Sequence, residues 1–222
     1  SNSGFGVVAG VRQLTIKSSK LLLNPAQGEL VTTADSGFGY VAGVSYERPS
    51  IALKVLLTQA PGIDIVVPTT VVGSGTISQP SFTTLEFETG IANNTLLFGS
   101  MHQGEHASAQ VKLNGIGAIS SFTDGEKYNI GVGRKFNDSL SGSISYTTEA
   151  GSSATGTSLL SPTNGTDTYA LGINYSTETV DIAFGYAMSS FGDKAVTTAY
   201  GTGNFTNNDA TTTGLRIKFK LP

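Results

Sequence analysis

The strongest constraint in this chain is an alternation of period two that returns in segment after segment of about ten residues. From Lys127 to Phe136, Tyr128, Ile130, Val132 and Phe136 hold even positions, and Lys127, Asn129, Gly131, Gly133 and Lys135 hold odd ones. Successive side chains of a strand point to opposite faces, so the segment has one apolar face and one small or polar face. The same division separates Leu140, Ile144 and Tyr146 from Ser141, Ser143 and Ser145, and Tyr169, Leu171, Ile173 and Tyr175 from Ala170, Gly172, Asn174 and Ser176. It continues in Val180, Ile182, Phe184, Tyr186 and Met188 against Asp181, Ala183, Gly185 and Ala187. Leu215, Ile217, Phe219 and Leu221 repeat it against Arg216, Lys218 and Lys220. Helical periodicity is nearly absent, and 28 glycines among many Ser and Thr disfavour helix.

The connections carry a second pattern. Arg48-Pro49-Ser50, Ala92-Asn93-Asn94, Asn137-Asp138-Ser139 and Ser176-Thr177-Glu178-Thr179 are short and made of turn formers. Gln59 to Pro80, Asn114 to Glu126, Ala150 to Asp167 and Ser189 to Thr212 are long for a compact domain. Short and long alternate if Thr95 to Lys112 is one long strand. With a first strand at Phe5 to Lys17, about ten strands result, each near the ~9–11 residues that cross a bilayer when tilted, and both termini fall on the short-turn side.

A sheet crosses lipid only as a closed barrel, because hydrocarbon offers no partner to a strand edge. Alternating strands, short turns on one side and long loops on the other are the expected pattern of an antiparallel up-and-down transmembrane β-barrel, with aromatic residues near strand ends. The competing reading is a soluble β-sandwich whose polar face meets water. Its wet face normally carries Lys, Glu and Thr, whereas here the non-apolar face is mostly Gly, Ala, Ser and Asn. Only 13% of residues are charged, against roughly 25% in ordinary soluble domains.

Composition also excludes functions. A net charge of −3 with no Lys/Arg cluster gives no nucleic-acid footprint. With no Cys there is no disulfide, thiolate site or Cys nucleophile. No apolar run approaches the roughly 18 residues of a membrane-spanning helix, and the start lacks a signal-peptide pattern, so an exported protein is represented here as a mature form or a fragment. His102 and His106, in HQGEH, have helical metal-ligand spacing. On a strand they would stand roughly 13 Å apart, and no metal is expected. No Gly-x-Ser-x-Gly elbow occurs; Glu86 and Glu88 share a strand face as lumen carboxylates, and no enzyme is expected. The segment Pro61 to Pro68 is unusually apolar: either Ile63 and Ile65 meet a hydrophobic ligand at the rim, or the segment extends a strand beyond the membrane. A last feature is an echo: SGFGVVAGV at Ser3 to Val11 returns as SGFGYVAGV at Ser36 to Val44. The loop count makes the two copies neighbours running in opposite directions.

From Ser36 onward the order of phrases resembles the outer-membrane long-chain fatty-acid and hydrophobic-compound transporter family, the FadL-like transporters. The residues that carry it are SGFGYVAGVSYERPSIALKV (Ser36 to Val55), ISQPSFTTLEFETGIANNTLLFGSMH (Ile77 to His102), FTDGEKYNIGVGRKFNDSLSGSISY (Phe122 to Tyr146), TDTYALGINYSTETVDIAFGYAMS (Thr166 to Ser189) and TTTGLRIKFKL (Thr211 to Leu221). They cover about four fifths of the chain. The resemblance implies a Gram-negative outer-membrane barrel that passes long-chain fatty acids or other hydrophobic compounds by passive diffusion, without a cofactor, its partners being membrane lipids and a hydrophobic small molecule such as a fatty acid. The family barrel has about fourteen strands and an N-terminal hatch. Residues 1–222 are therefore expected to be a single barrel domain lacking the hatch and first strands. Asn24-Pro25-Ala26 matches the letters of a hatch triplet by chance, and the end Phe219-Lys220-Leu221-Pro222 lacks the usual terminal aromatic. A carboxylate ligand needs a cation in an apolar pocket, and Lys112 and Lys127, which flank a loop, are the candidates beside Ile63 and Ile65. Two other functions stay open: a non-transporting structural or adhesive barrel, and a secreted soluble β-sandwich binding module.

Overall fold

The computed structural model describes residues 3–24, 28–70, 73–152, 163–198 and 201–220. Pro25, Ala26, Leu221 and Pro222 lie outside the described residues. In chain order the strands are β1 (Gly4–Ile16), β2 (Ser19–Asn24), β3 (Gly28–Thr32), β4 (Asp35–Arg48), β5 (Leu53–Ala60), β6 (Ile63–Thr69), β7 (Gly73–Gln79), β8 (Phe82–Ala92) and β9 (Thr95–Gly104). They continue as β10 (Lys112–Leu113), β11 (Gly117–Ala118), β12 (Gly125–Lys135), β13 (Leu140–Glu149), β14 (Thr166–Ser176), β15 (Val180–Phe191), β16 (Lys194–Thr198), β17 (Gly201–Phe205) and β18 (Asn208–Phe219).

Ten of these form one antiparallel up-and-down sheet, in the order β1-β4-β5-β8-β9-β12-β13-β14-β15-β18. This is the expected strand number and topology. β1 and β18 are the two edges, and among the described residues they do not pair with each other. The all-β antiparallel class is thus present as an open wall.

One expected strand is shorter than its sequence implied. Thr95 to Lys112 is not continuous: β9 ends at Gly104, and Lys112 belongs to β10 in a different sheet. The neighbours decide this. Phe82 and Gly125, which flank Gly104, are the first residues of β8 and β12, so no wall strand remains to pair beyond them. The chain turns instead, with the Ala109 amide donating to the His106 carbonyl and the Ala107 amide to Asp124 (2.8 Å).

Directly opposed residues share a face, so the register sorts every side chain. One row crosses all ten strands as Phe5-Tyr46-Val55-Phe87-Gly99-Ile130-Tyr146-Tyr169-Met188-Thr211. The row beside it, on the other face, is Gly4-Glu47-Lys54-Glu88-Phe98-Gly131-Ser145-Ala170-Ala187-Thr212. The described tyrosines, Tyr40, Tyr46, Tyr128, Tyr146, Tyr169, Tyr175 and Tyr186, all belong to the apolar face. That face is exposed: Phe5 is 88%, Ile144 64% and Tyr169 61% accessible. The buried apolar residues among those described, Ile63, Ile65, Val67, Ala109, Leu113 and Val196, all lie in the long connections rather than in the wall. At one rung, aromatic rings cover glycines on both faces, Phe87 over Gly99 and Phe98 over Gly131.

The two echoing phrases pair antiparallel within β1 and β4, centred on Ala9 opposite Ala42. On the polar face Val8 stands opposite Gly43 and Gly10 opposite Val41, so each bulky residue of one copy faces a glycine of the other. A Cβ on Gly10 would lie 3.1 Å from Val41 Cγ1.

The short turns are built as their residues dictate. Between β12 and β13, Asn137 Oδ1 accepts from the amides of Ser139 (2.9 Å) and Leu140 (2.8 Å). Asn137→Ala should cost about 1–2 kcal/mol by removing both acceptors, readable as a lowered urea midpoint. The Lys135 ammonium donates to Asp138 (2.8 Å) and holds its carboxyl below the usual carboxylate range. That support is present above the unfolded-state value and is lost as pH falls through the depressed folded one.

Candidate functional site

At the long-loop end, the connection between β5 and β8 folds into the hairpin β6–β7 and lies over the polar face of the wall. Ile63, Ile65 and Val67 alternate with Asp64, Val66 and Pro68, so the inner side of β6 is wholly aliphatic; Ile65 is 2% and Val67 1% accessible. They pack with Leu14, Ile16 and Ile77. The contact is close because β4 presents bare backbone there: a Cβ on Gly37 would lie 2.6 Å from Ile63 Cγ2, and one on Gly39 2.8 Å from Ile63 Cδ1. The Arg12 guanidinium, below the hairpin, donates to the Pro61 carbonyl, while its buried Nε has no partner among the described residues. The hairpin is thus a cap, held by an aliphatic seam and pinned at its base by one arginine.

The sequence-derived candidates separate in space. Ile63 and Ile65 are the core of that cap. Lys112 shares its sheet, order β11-β10-β7-β6-β3-β2, but not its side: Lys112 pairs with Thr76, which pairs with Val66, placing all three opposite Ile63 and Ile65. Next to Lys112, Val67, Ile77, Leu113 and Ile119 line a pocket of only ≈ 100 Å³, and Thr69, on the same lining, has a buried hydroxyl with no partner among the described residues. Lys127 lies on the wall itself and is ion-paired to Glu149 (3.2 Å).

The two histidines converge on one ring without converging on each other. His102, on β9, stacks on Phe82 at 4.8 Å and meets the Thr84 hydroxyl at 2.8 Å through Nδ1; His106, in the loop, meets the same ring edge-on at 5.8 Å. Phe82 is therefore the ring that both contact. Among the described residues, no three His, Cys, Asp or Glu side chains gather as a metal site.

A larger concavity lies on the polar face towards the short-turn end. It measures ≈ 570 Å³, within the ordinary range for a small-molecule site, and its lining includes Leu96, Phe98, Gly133, Ser143, Asn174 and Arg216. Its lining follows the register: Leu96, Gly133, Ser143 and Gly172 face one another in turn, and the same row runs on beyond the concavity to Gly185 and Gly214, across six strands in all. Sequence reasoning placed Gly133, Ser143, Gly172, Asn174, Gly185 and Arg216 on the non-apolar face but did not gather them into a site, and it assigned no face to Leu96, Phe98 or Gly214. The available signal was the glycine that occupies the same strand frame in three consecutive wall strands.

Neither a protein-family model nor a curated protein matches the sequence. Solved structures do match the fold. The chain is similar to the crystal structure of a Pseudomonas aeruginosa FadL homologue, with TM-score 0.63 and 13% identity, over 97% of this chain and 62% of that one. It is similar also to the CymD monoaromatic hydrocarbon channel, with TM-score 0.56 and 11% identity, over 97% of this chain and 69% of that one. The chain thus spans less than two thirds of the length of the FadL homologue. The resemblance read from the phrase order is matched by a likeness of fold to a FadL homologue and a hydrocarbon channel.

Proposed function

We propose that this chain forms the wall of a closed transmembrane β-barrel, a single domain in the outer membrane of a Gram-negative bacterium, and passes long-chain fatty acids or other hydrophobic compounds by diffusion. The observation that carries this reading is the partition of the wall. Its aromatic and aliphatic side chains are exposed on one face from β1 to β18, while the other face is mostly Gly, Ala, Ser and Thr with charged side chains among them. A continuous apolar surface of this extent calls for an apolar solvent, and lipid supplies it. Closure brings the free edges of β1 and β18 to pairing partners, since an unpaired edge is untenable in hydrocarbon.

The apolar face then meets acyl chains, the polar face lines the lumen, and the β6–β7 cap stands at the long-loop mouth. A solute moving along the lumen crosses the groove between Leu96 and Arg216. No energy source or cofactor enters this scheme, and the work of the protein is to offer a sheltered path.

The test is uptake of radiolabelled oleate by Gram-negative cells deleted for their own long-chain fatty-acid channel, with and without this chain. Faster uptake, with the protein in the outer-membrane fraction, is expected. Uptake at the empty-vector rate despite correct insertion would leave a structural or adhesive barrel; a folded monomer in detergent-free buffer would remove the membrane reading altogether.

A further inference from the structure

The two edges of the wall match in chemistry. Read away from the short turns, the apolar face of β1 presents Phe5, Val7, Ala9 and Val11, then Gln13 and Thr15; that of β18 presents Phe219, Ile217 and Leu215, then Thr213, Thr211 and Asp209. Both edges pass from apolar to polar in the same direction. On the polar face the match is one of charge. Glu47, Glu86, Arg216 and Lys218 make no hydrogen bond or ion pair among the described residues, although Lys218 lies in the field of Asp181. They divide by sign: the carboxylates stand on β4 and β8, the cations on β18. Along the open sheet, β4 and β18 are eight strand-to-strand steps apart.

The slope of the wall fixes the register in which these edges fit. The row from Phe5 to Thr211 passes Tyr46, two residues from the short-turn end of β4, and Met188, eight residues from that of β15, so it climbs six residues in seven steps. At that slope a circuit of ten steps climbs roughly eight to nine residues, and only an even offset keeps each side chain on its own face. An offset of eight sets Thr211 opposite Gln13. Phe219, Ile217 and Leu215 then stand opposite Phe5, Val7 and Ala9, and all of β18 lies within the length of β1.

We propose that the partner of the β1 edge is β18 of the same chain, paired antiparallel from Phe5 opposite Phe219 to Ile16 opposite Asn208, and that Lys218 and Glu47 form an ion pair across this seam. In that register Lys218 faces Gly6 while Glu47 faces Gly4, so no β1 side chain stands between them. Spacings of about 4.8 Å between strands and 3.4 Å along them put the two Cα atoms about 12 Å apart, a span that an extended lysine and glutamate close. The seam closes the wall at ten strands, where the family it resembles has about fourteen. The inference rests on the membrane reading, in which no strand edge stays open, and adds which edge each one meets and at what register.

The chain has no cysteine, so introduced pairs report alone. The full chain in lipid vesicles is oxidised with copper phenanthroline as Val7→Cys/Ile217→Cys, on the apolar face, and as Val8→Cys/Arg216→Cys, on the polar face. Directly opposed residues lie within disulfide reach. At least one of the two pairs should give an intramolecular disulfide at a rate comparable with Val7→Cys/Val44→Cys, a pair already opposed in the wall. Val7→Cys/Thr213→Cys, displaced by roughly 14 Å along the strand, should give none. Lys218→Glu should slow the Val7→Cys/Ile217→Cys crosslink about two- to fivefold, and Glu47→Lys added to it should restore the rate. A disulfide joining two chains would overturn the proposal by giving the edge to a second copy. Failure of both predicted pairs while Val7→Cys/Val44→Cys forms would overturn it by placing other strands between the edges. Oleate uptake is read separately: a protein that forms the seam without uptake leaves this inference standing, and uptake without the seam removes the seam alone.

Discussion

Gly37→Val is expected to loosen the β6–β7 cap while leaving the wall intact. Valine suits a strand better than glycine does, so β4 itself should gain from the substitution. The loss arises across the seam. A side chain at position 37 would occupy the space of Ile63 Cγ2, 2.6 Å from its Cβ, and would crowd Ile65 Cγ1 at 3.0 Å. Cγ2 of an isoleucine cannot swing away without a change of a stiff χ1, in a seam where Ile65 and Val67 are almost wholly buried. Overpacking of this kind costs about 1–3 kcal/mol. Amide hydrogen exchange over residues 63–79 should speed by about 5- to 30-fold for each 1–2 kcal/mol lost, with β12 to β15 unchanged. Gly185→Val is the control: nothing stands within 4 Å of its Cβ, and exchange in the cap should stay as in wild type. Equal effects of the two substitutions would contradict the seam.

Arginine at position 144 should be far more costly than arginine at the adjacent position 143. Ile144 is central in β13, 64% accessible, and lies between Val132 and Leu171 on the apolar face. In a bilayer that site offers a guanidinium neither water nor a counter-ion, and Ile144→Arg should lose about 2–4 kcal/mol of stability in lipid vesicles. Ser143 points to the other face between Gly133 and Gly172, where a long side chain has space and a polar setting, so Ser143→Arg should fall within about 0.5 kcal/mol of wild type. Urea unfolding in vesicles reads both. Had the apolar face been the core of a soluble sandwich, Ile144 would be buried and the polar face wet, and the pair would differ equally in buffer; a folded, detergent-free protein with that same difference would therefore remove the lipid assignment.

The wall was legible in the sequence because a strand whose two faces differ in chemical character records both, one residue at a time. Each strand from β12 to β15 appears at nearly its full extent in the alternation of Tyr128 to Lys135 through Val180 to Met188. The turns at Asn137 and Thr177 announced themselves by side chains that bind their own backbone, and the turn at Asn93-Asn94 by a residue type that tolerates positive φ, as Asn94 does here. The connections were harder. The alternation of Ile63 to Pro68 is a strand pattern, but its partner β7, Gly73–Gln79, is Gly, Ser and Thr with one isoleucine, too weak in strand preference to mark a hairpin. The continuation of β9 past Gly104 could not be refused locally, since only the starting points of β8 and β12 limit it. Of the site residues, Lys112, Lys127, Ile63 and Ile65 were chosen for chemistry alone, and the register sends them to three separate surroundings. The groove that Arg216 helps to line joins residues of six wall strands, a property of the assembled sheet rather than of any one strand.

The echo in β1 and β4 has a consequence for how the first wall pair finds its alignment. A slide of two residues would keep every apolar side chain on its proper face, so hydrophobic patterning alone does not forbid it. It would, however, bring Val8 against Val41 and Gly10 against Gly39, doubling the bulk at one rung and leaving nothing at the next. The observed pairing, Val8 with Gly43 and Gly10 with Val41, is the setting in which tooth meets notch at both rungs. The repeated phrase works as a vernier: two nearly identical scales laid head to tail, coinciding at one setting and so fixing the zero from which the remaining strands are counted.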